Sequence, residues 1–404
     1  MKKIIHLVIS DLLGAGRAAL RISEAVRRRG YDSEVYVLNP GPLKQAKTIV
    51  LTEKDKLLRM LCKKRNDFAM RGYPRPGYFH YDRHAVSYQN YPFIKDADLI
   101  HLHWVSEGMY SDHFLKDLDR PVVWTNHDMW SFTGGCHYSG SCRKYTGTCG
   151  NCPCLGSDRE TDLSSRGQQL RIQEYRDAEL QFVGCSRWIS EQANASRILR
   201  ESGRTSVAVA NPIDRKWFHV RDQKECRKLL GIETDKKLIL TGSINLNDSR
   251  KGGSYLLQAI EHLDPQEYML ACFGNPSGFD TGKLETITFG SIFDDLHLSL
   301  IYGACDVFAA PSVQENLANT VMESLACGLC VTAFDIGGMP DMVQTGFNGF
   351  LARPSDPVSF AEGIRQSASS AISRQEISDD CEERFGMDRI GAQYAEIYER
   401  LLGA

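Results

Sequence analysis

Short apolar runs alternate with helix-period segments along this chain, stop once at Asn211-Pro212-Ile213-Asp214, and then start again. Ile4 to Ile9 reads as a buried strand, and Asp11-Leu12-Leu13-Gly14-Ala15-Gly16 as a loop. Ala18, Ala19, Ile22, Ala25 and Val26 then recur at helical spacing up to Gly30. Glu34–Leu38, Leu99–Leu102, Val122–Thr125 and Phe182–Cys185 read as further strands. After the break, Leu238–Thr241, Tyr268–Phe273 and Val307–Ala309 read as strands and Ser254–Leu263 as a helix. Strands separated by helices dictate an α/β fold with parallel sheets. Pro212 disfavours a helical Asn211, so the break reads as a linker. Ile390, Tyr394, Ile397, Tyr398 and Leu401 mark a closing amphipathic helix. The expected architecture is two Rossmann-like domains, 1–210 and 211–385, with a helix at 386–404 crossing back to the first. A ligand is expected between them, beyond the carboxyl ends of the strands.

Length agrees with this division, because 404 residues exceed what one core usually serves. With 42% apolar and 25% charged residues, disorder and fibre are excluded. No uncharged apolar run reaches the roughly 18–20 residues of a membrane span. The first residues turn polar too soon for a signal peptide, so a cytoplasmic location is expected. The net charge of −3 conceals an uneven distribution: residues 1–100 hold 19 Lys+Arg against 10 Asp+Glu. The excess gathers at Arg27-Arg28-Arg29 and between Lys44 and Arg75. Such a face is a solvated surface or a contact for anionic lipid on the inner side of a membrane. Nucleic acid is not expected, since no recognised binding module accompanies the charge.

Two glutamates eight residues apart, Glu315 and Glu323, bracket a predicted helix start near Asn319. Free N–H groups at that start can hold a diphosphate while the carboxylates accept hydrogen bonds from sugar hydroxyls. Gly14-Ala15-Gly16-Arg17-Ala18-Ala19 has the form G-x-G-x-x-A. Four residues separate Ile9 from Gly14, however, and the second strand ends in Asn39 instead of an acid, which argues against a dehydrogenase.

The Glu315–Glu323 arrangement resembles the E-x7-E signature of retaining GT-B glycosyltransferases, in the glycosyltransferase 4 family of capsule, O-antigen and colanic-acid enzymes. The glycine loop, His127-Asp128, Asn211-Pro212-Ile213-Asp214, Arg250-Lys251-Gly252-Gly253, Asp335–Asp341 and Asn348–Leu351 are similar to further family segments, in the same order. The resemblance implies transfer of a sugar, with retention, from a nucleotide-sugar to a glycan or polyprenyl-linked acceptor in surface polysaccharide synthesis. It implies that Glu323 holds the nucleotide ribose and Glu315 the donor sugar. His127 would lie beside the anomeric carbon, and Arg250 and Lys251 would neutralise the leaving diphosphate. Gly14, Gly16, Asn316, Leu317, Asn319 and Thr320 would complete the donor site. Many relatives carry an arginine soon after the position of Gly242, whereas Ser243-Ile244-Asn245 follow here. Phosphate contact then rests on Arg250 and Lys251. No Asp-x-Asp metal-phosphate motif occurs among residues 211–404, so no cofactor or divalent metal is required for transfer. Singly, His127 also suits a satisfied structural histidine, and Lys251 a solvated lysine.

Five cysteines crowd one segment: Cys136, Cys142, Cys149, Cys152 and Cys154. Cys149-Gly150-Asn151-Cys152 has the two-residue gap of a zinc knuckle, and Cys136 and Cys142 could supply the second pair. A structural zinc, unliganded thiols and an iron–sulfur cluster all fit the spacing.

Overall fold

The computed structural model describes residues 1–74, 78–111, 113–245, 247–275 and 282–403, and Arg75 of the basic stretch lies outside them. The chain divides into two compact units, residues 1–210 with 390–404, and residues 211–389.

The first unit runs β1 (Lys3–Val8), α1 (Gly14–Arg27), β2 (Asp32–Val37), β3 (Lys47–Thr48), α2 (Glu53–Met70), α3 (Pro92–Lys95), β4 (Leu99–Leu102), β5 (Val122–Asn126), α4 (Leu163–Asp177), β6 (Leu180–Gly184), α5 (Arg187–Ala195), α6 (Arg197–Ser202) and β7 (Ser206–Ala208). Its strands pair in parallel in the order β3-β2-β1-β4-β5-β6-β7. Helices cover both faces of the middle of such a sheet, which is why β4 and β5 are buried at every position.

The second unit runs α7 (Gln223–Leu229), β8 (Lys237–Asn245), α8 (Gly253–Ile260), β9 (Tyr268–Asn275), β10 (Thr286–Thr288), α9 (Asp295–Ala304), β11 (Val307–Ala310), α10 (Asn319–Ala326), β12 (Val331–Phe334), β13 (Gly349–Ala352), α11 (Pro357–Ser367) and α12 (Arg374–Phe385). Its parallel sheet has the order β10-β9-β8-β11-β12-β13. In each sheet the order reverses once, beside β1 and beside β8, and loops that leave in opposite directions there open a crevice at the strand ends.

The closing helix α13 (Met387–Leu402) presents Ile390, Tyr394, Ile397 and Tyr398, a single stripe at helical spacing, to Ile4, Leu99, Val123 and Val183 of the first sheet. Its first residues, to Arg389, stay with the second unit, where Ile213 N donates to Phe385 O at 2.9 Å.

The structure departs from the sequence reading at three places. Gly14 to Gly16 are the first turn of α1, not loop. The carboxylate of Asp11 reaches the amides of Gly41 and Ala46 instead of capping the helix. The strands β3, β7, β10, β12 and β13 are additional, and four of them lie toward the sheet edges, where runs are short and less apolar. The helix expected over Ser254–Leu263 is one residue early and stops at Ile260.

Candidate functional site

In the second unit an open pocket of about 420 Å³ sits at the carboxyl ends of β8 and β11. Thr241, Gly242 and Ser243 line it from β8, and Ala310 of β11 with Pro311 and Ser312 just beyond that strand. Thr320 of α10 closes one side, and Lys251 and Glu315 face each other across it. The Lys251 ammonium donates to Glu315 Oε2 at 2.6 Å, with the lysine side chain one-third exposed and the glutamate 10% exposed.

The backbone fixes that pair. Asp248 accepts the Arg250 amide at 3.0 Å and pairs with its guanidinium at 2.6 Å. Arg250 O in turn accepts Val313 N at 2.8 Å, which ties the basic turn to the loop that carries Glu315. Gly252 joins them with φ 69°, and a Cβ there would lie 1.8 Å from Pro311 O, so no other residue fits without moving the loop. Helix α10 begins at Asn319 after Ala318, whose side chain supplies no cap, and it directs the positive end of its dipole toward the pocket that Ala318 and Thr320 line.

The other expected residues divide by depth. Asn316 and Leu317 are buried, and Asn316 N donates to Glu315 Oε1 at 3.1 Å. Asn319 Oδ1 accepts from Asn211 Nδ2 at 3.4 Å. Glu323 is 1% exposed and accepts the Tyr302 hydroxyl at 3.3 Å, one turn inside α10. Arg250 holds Asp248, so Lys251 is the basic residue that lines the pocket.

His127, Gly14 and Gly16 belong to the first unit. Gly16 is there for close packing: a Cβ would lie 2.0 Å from Ser10 O. His127 follows β5 and ends a buried imidazole chain. His6 Nδ1 lies 3.0 Å from His103 Nε2, and His103 Nδ1 lies 3.0 Å from His127 Nε2. His6 Nε2 is buried without a partner. An orphan N–H costs more than an orphan lone pair, so the His6 proton sits on Nδ1. His6 then donates to His103, and His103 donates to His127, which leaves the His127 proton on Nδ1. Burial keeps these rings neutral: it lowers His127 to about 4, against a smaller opposing pull from Asp128, and His6 to about 3. His103 and His101 are likewise pushed well below the usual imidazole range by burial. His101 spends both nitrogens, on Tyr398 at 2.7 Å and Thr125 at 2.8 Å.

Beside the chain, Asp128 accepts His137 Nδ1 at 2.6 Å and the Trp104 indole at 2.7 Å. Burial opposes its ionisation, but His137, the Trp130 amide and Trp104 together hold its carboxyl below the usual range. His80 Nδ1 meets His137 Nε2 at 2.7 Å.

Sequence reasoning passed over His6, His103, Asp248 and Tyr302. His101-Leu102-His103 sets two imidazoles on one face of a strand, and Asp248 stands two residues before Arg250 where turn caps stand; both signals are short. Nothing local marks Tyr302. Cys136, Cys142, Cys149 and Cys152 line a second pocket, in the first unit.

Residues 13–147 match the family model described as Glycosyltransferase Family 4, and residues 235–370 the one described as Glycosyl transferases group 1. Among curated proteins, a D-inositol 3-phosphate glycosyltransferase of Xylanimonas cellulosilytica is 30% identical over 188 residues, 43% of this chain and 44% of that protein. Spore coat protein SA of Bacillus subtilis is 25% identical over 253 residues, 55% of this chain and 66% of that protein. The chain thus spans roughly half the length of the curated relatives it matches. Among solved structures, sucrose-phosphate synthase from Thermosynechococcus elongatus superposes with a TM-score of 0.68 at 16% identity, covering 100% of both chains. Anabaena Alr3699/HepE in complex with UDP and glucose gives 0.66 at 16% identity, covering 99% of this chain and 100% of that one. These likenesses show the fold, GT-B, with two Rossmann-like parallel-sheet units.

Proposed function

We propose that this chain, which carries a glycosyltransferase family 4 segment and a group 1 segment on a GT-B fold, transfers a hexose from a nucleotide-sugar with retention of anomeric configuration. The carrying observation is the Lys251–Glu315 pair, held over a pocket between β8, β11 and the start of α10. A nucleoside diphosphate needs a cation and is favoured at a helix start, and Lys251 and the first residues of α10 line this pocket. Transfer builds positive charge on the sugar and negative charge on the leaving diphosphate. Lys251 and the first turn of α10 stabilise the second, and Glu315 receives sugar hydroxyls. Glu323, in the interior of α10, supports the ribose end. His127, kept neutral by burial, serves the sugar end of the reaction. With an ammonium at the diphosphate, no divalent metal is needed. The solved relative that holds UDP and glucose supports the class of donor.

The acceptor is a lipid-linked glycan of surface polysaccharide synthesis, met at an anionic membrane surface. Among the described residues no helix is long and apolar enough to cross a membrane. Helix α2 offers a peripheral contact instead. Leu57, Leu61 and Phe68 share one of its faces and are 56%, 47% and 72% exposed. Lys54, Lys56, Lys63, Lys64 and Arg65 are exposed around them. An apolar stripe with a basic rim suits an anionic bilayer.

The test is a nucleotide-sugar screen by thermal shift, followed by transfer to a lipid-linked acceptor and determination of the product anomer. Binding to the native state raises the melting temperature. An inverted product refutes retention, and the absence of any stabilising nucleotide-sugar refutes the donor site.

A further inference from the structure

Between β5 and α4, residues 127–162 contain no strand and no α-helix, only the 3-10 turns Trp130–Phe132 and Lys144–Thr146. Loops beyond about 12–15 residues without structure of their own are uncommon in compact domains, so something must hold this one. Four of its cysteines, Cys136, Cys142, Cys149 and Cys152, line one pocket of about 290 Å³.

The turn that carries two of them is already set. Cys149 N donates to Gln168 Oε1 and Cys152 N to Asp162 Oδ2, each at 3.0 Å, and both acceptors belong to fully buried side chains. Between the two cysteines Gly150 has φ 140° and Asn151 φ 44°. A Cβ on Gly150 would lie 2.1 Å from Glu160 O, so this tight reversal admits glycine alone. Lys144 clamps the reversal by donating to Gly150 O and Asn151 O, both at 3.1 Å. The Leu155 amide closes the following turn on Cys152 O at 3.1 Å. All these cysteines are free thiols.

We propose that Cys136, Cys142, Cys149 and Cys152 bind one structural zinc ion, which staples this loop. Zinc takes four thiolates tetrahedrally with Zn–S bonds of about 2.3 Å, which places neighbouring sulfurs roughly 3.8 Å apart. Among the described residues, His6, His101 and His103 are the group of three whose ligand atoms all lie within 4.8 Å of one another. The four sulfurs therefore stand around their pocket at wider spacing, and coordination draws them inward by side-chain rotation on turns that stay fixed. Four Zn–S bonds form as four thiol protons leave to solvent. The imidazole group is not a competing site, because Thr125 and Tyr398 occupy both nitrogens of His101. Cys154 lies outside the ligand set: it does not line the pocket of the other four, and its thiol points to Tyr138 O at 3.8 Å. The staple also bears on His127, because Cys136 adjoins His137, the partner of Asp128.

The inference is independent of the transfer reading, and its readout is metal. Elemental analysis of the full chain, purified without chelator, is expected to give about one zinc per chain. Protein that contains iron instead, or neither metal, overturns the proposal. Cys149→Ser and Cys142→Ser should lose the zinc, whereas Cys154→Ser should keep it. Zinc lost from Cys154→Ser and kept in Cys142→Ser overturns the ligand set. Should the ligand variants fail to fold, the wild-type chain decides alone. Replacement of its zinc by cobalt should give an intense thiolate-to-cobalt charge-transfer absorption, and the lack of one overturns thiolate coordination.

Discussion

Lys251 and Glu315 form a closed pair at 2.6 Å in the pocket proposed for the donor diphosphate, and that contact has a consequence for binding. Two anions, the Glu315 carboxylate and the incoming phosphate, compete for one ammonium and repel each other. At an effective dielectric of about 20 a contact pair attracts by roughly 4 kcal/mol, and in bulk water by roughly 1. Lysine one-third open to solvent places this pair toward the lower end, at about 1–2 kcal/mol. Glu315→Gln releases Lys251, so a nucleoside diphosphate should bind about 5–30-fold more tightly, at 1.4 kcal/mol per decade. The same variant should lose turnover with the intact donor, since the role proposed for its carboxylate is to receive the sugar. Lys251→Ala has the opposite sign for the nucleotide. It deletes a charge-assisted hydrogen bond of about 1.5–3 kcal/mol, and affinity should fall roughly tenfold or more. Isothermal titration of both variants and the double variant with nucleoside diphosphate alone measures each effect and their coupling. Weaker nucleotide binding by Glu315→Gln, in step with Lys251→Ala, refutes the competition and makes the carboxylate a nucleotide contact.

Other consequences can be measured separately. Glu323→Gln should weaken nucleoside diphosphate binding by roughly tenfold to a hundredfold, because one hydrogen bond to a charged acceptor contributes about 1.5–3 kcal/mol; unchanged titration calorimetry removes its ribose role. His103→Phe breaks the donor to His127 Nε2 and should lower turnover about tenfold with little change in donor KM, while His103→Gln restores part of it; equal turnover in wild type and a folded His103→Phe refutes the positioning. His6 and His127 have folded-state values of about 3 and 4, below the 6.5 of an unfolded histidine, so the unfolded chain takes up their protons first. Their contribution is complete above pH 6.5 and is lost as pH falls toward 4, by roughly 2 kcal/mol for each at pH 5; equal urea midpoints at pH 7 and pH 5 contradict this. Lys63→Glu with Lys64→Glu should reduce partition onto anionic vesicles more than tenfold, at about 1 kcal/mol per basic residue, and identical sedimentation with neutral and anionic vesicles removes the electrostatic contact.

The part of this protein legible in its sequence is the part set by local periodicity. A strand covered on both faces must be apolar throughout, so the runs Leu99–Leu102 and Val122–Asn126 announce themselves without neighbours. The stripe of Ile390, Tyr394, Ile397 and Tyr398 likewise states that α13 has one buried face, though not which surface covers it. Short strands near the sheet edges, such as Lys47–Thr48 and Thr286–Thr288, bury too little to leave a pattern. Motif spacing placed Glu315 before a helix and Glu323 inside it, because both relations are local. Tertiary structure alone decided what those residues touch. Lys251 and Glu315 are 64 positions apart and meet because β8 and β11 pair in parallel, which brings the loops at their carboxyl ends together. The imidazole chain arises in the same way: register sets His6 opposite His101, and three adjacent strands carry His6, His103 and His127 onto one face. A parallel ladder aligns residues that are distant in sequence, and each strand records only its own alternation, never the strand it will lie beside.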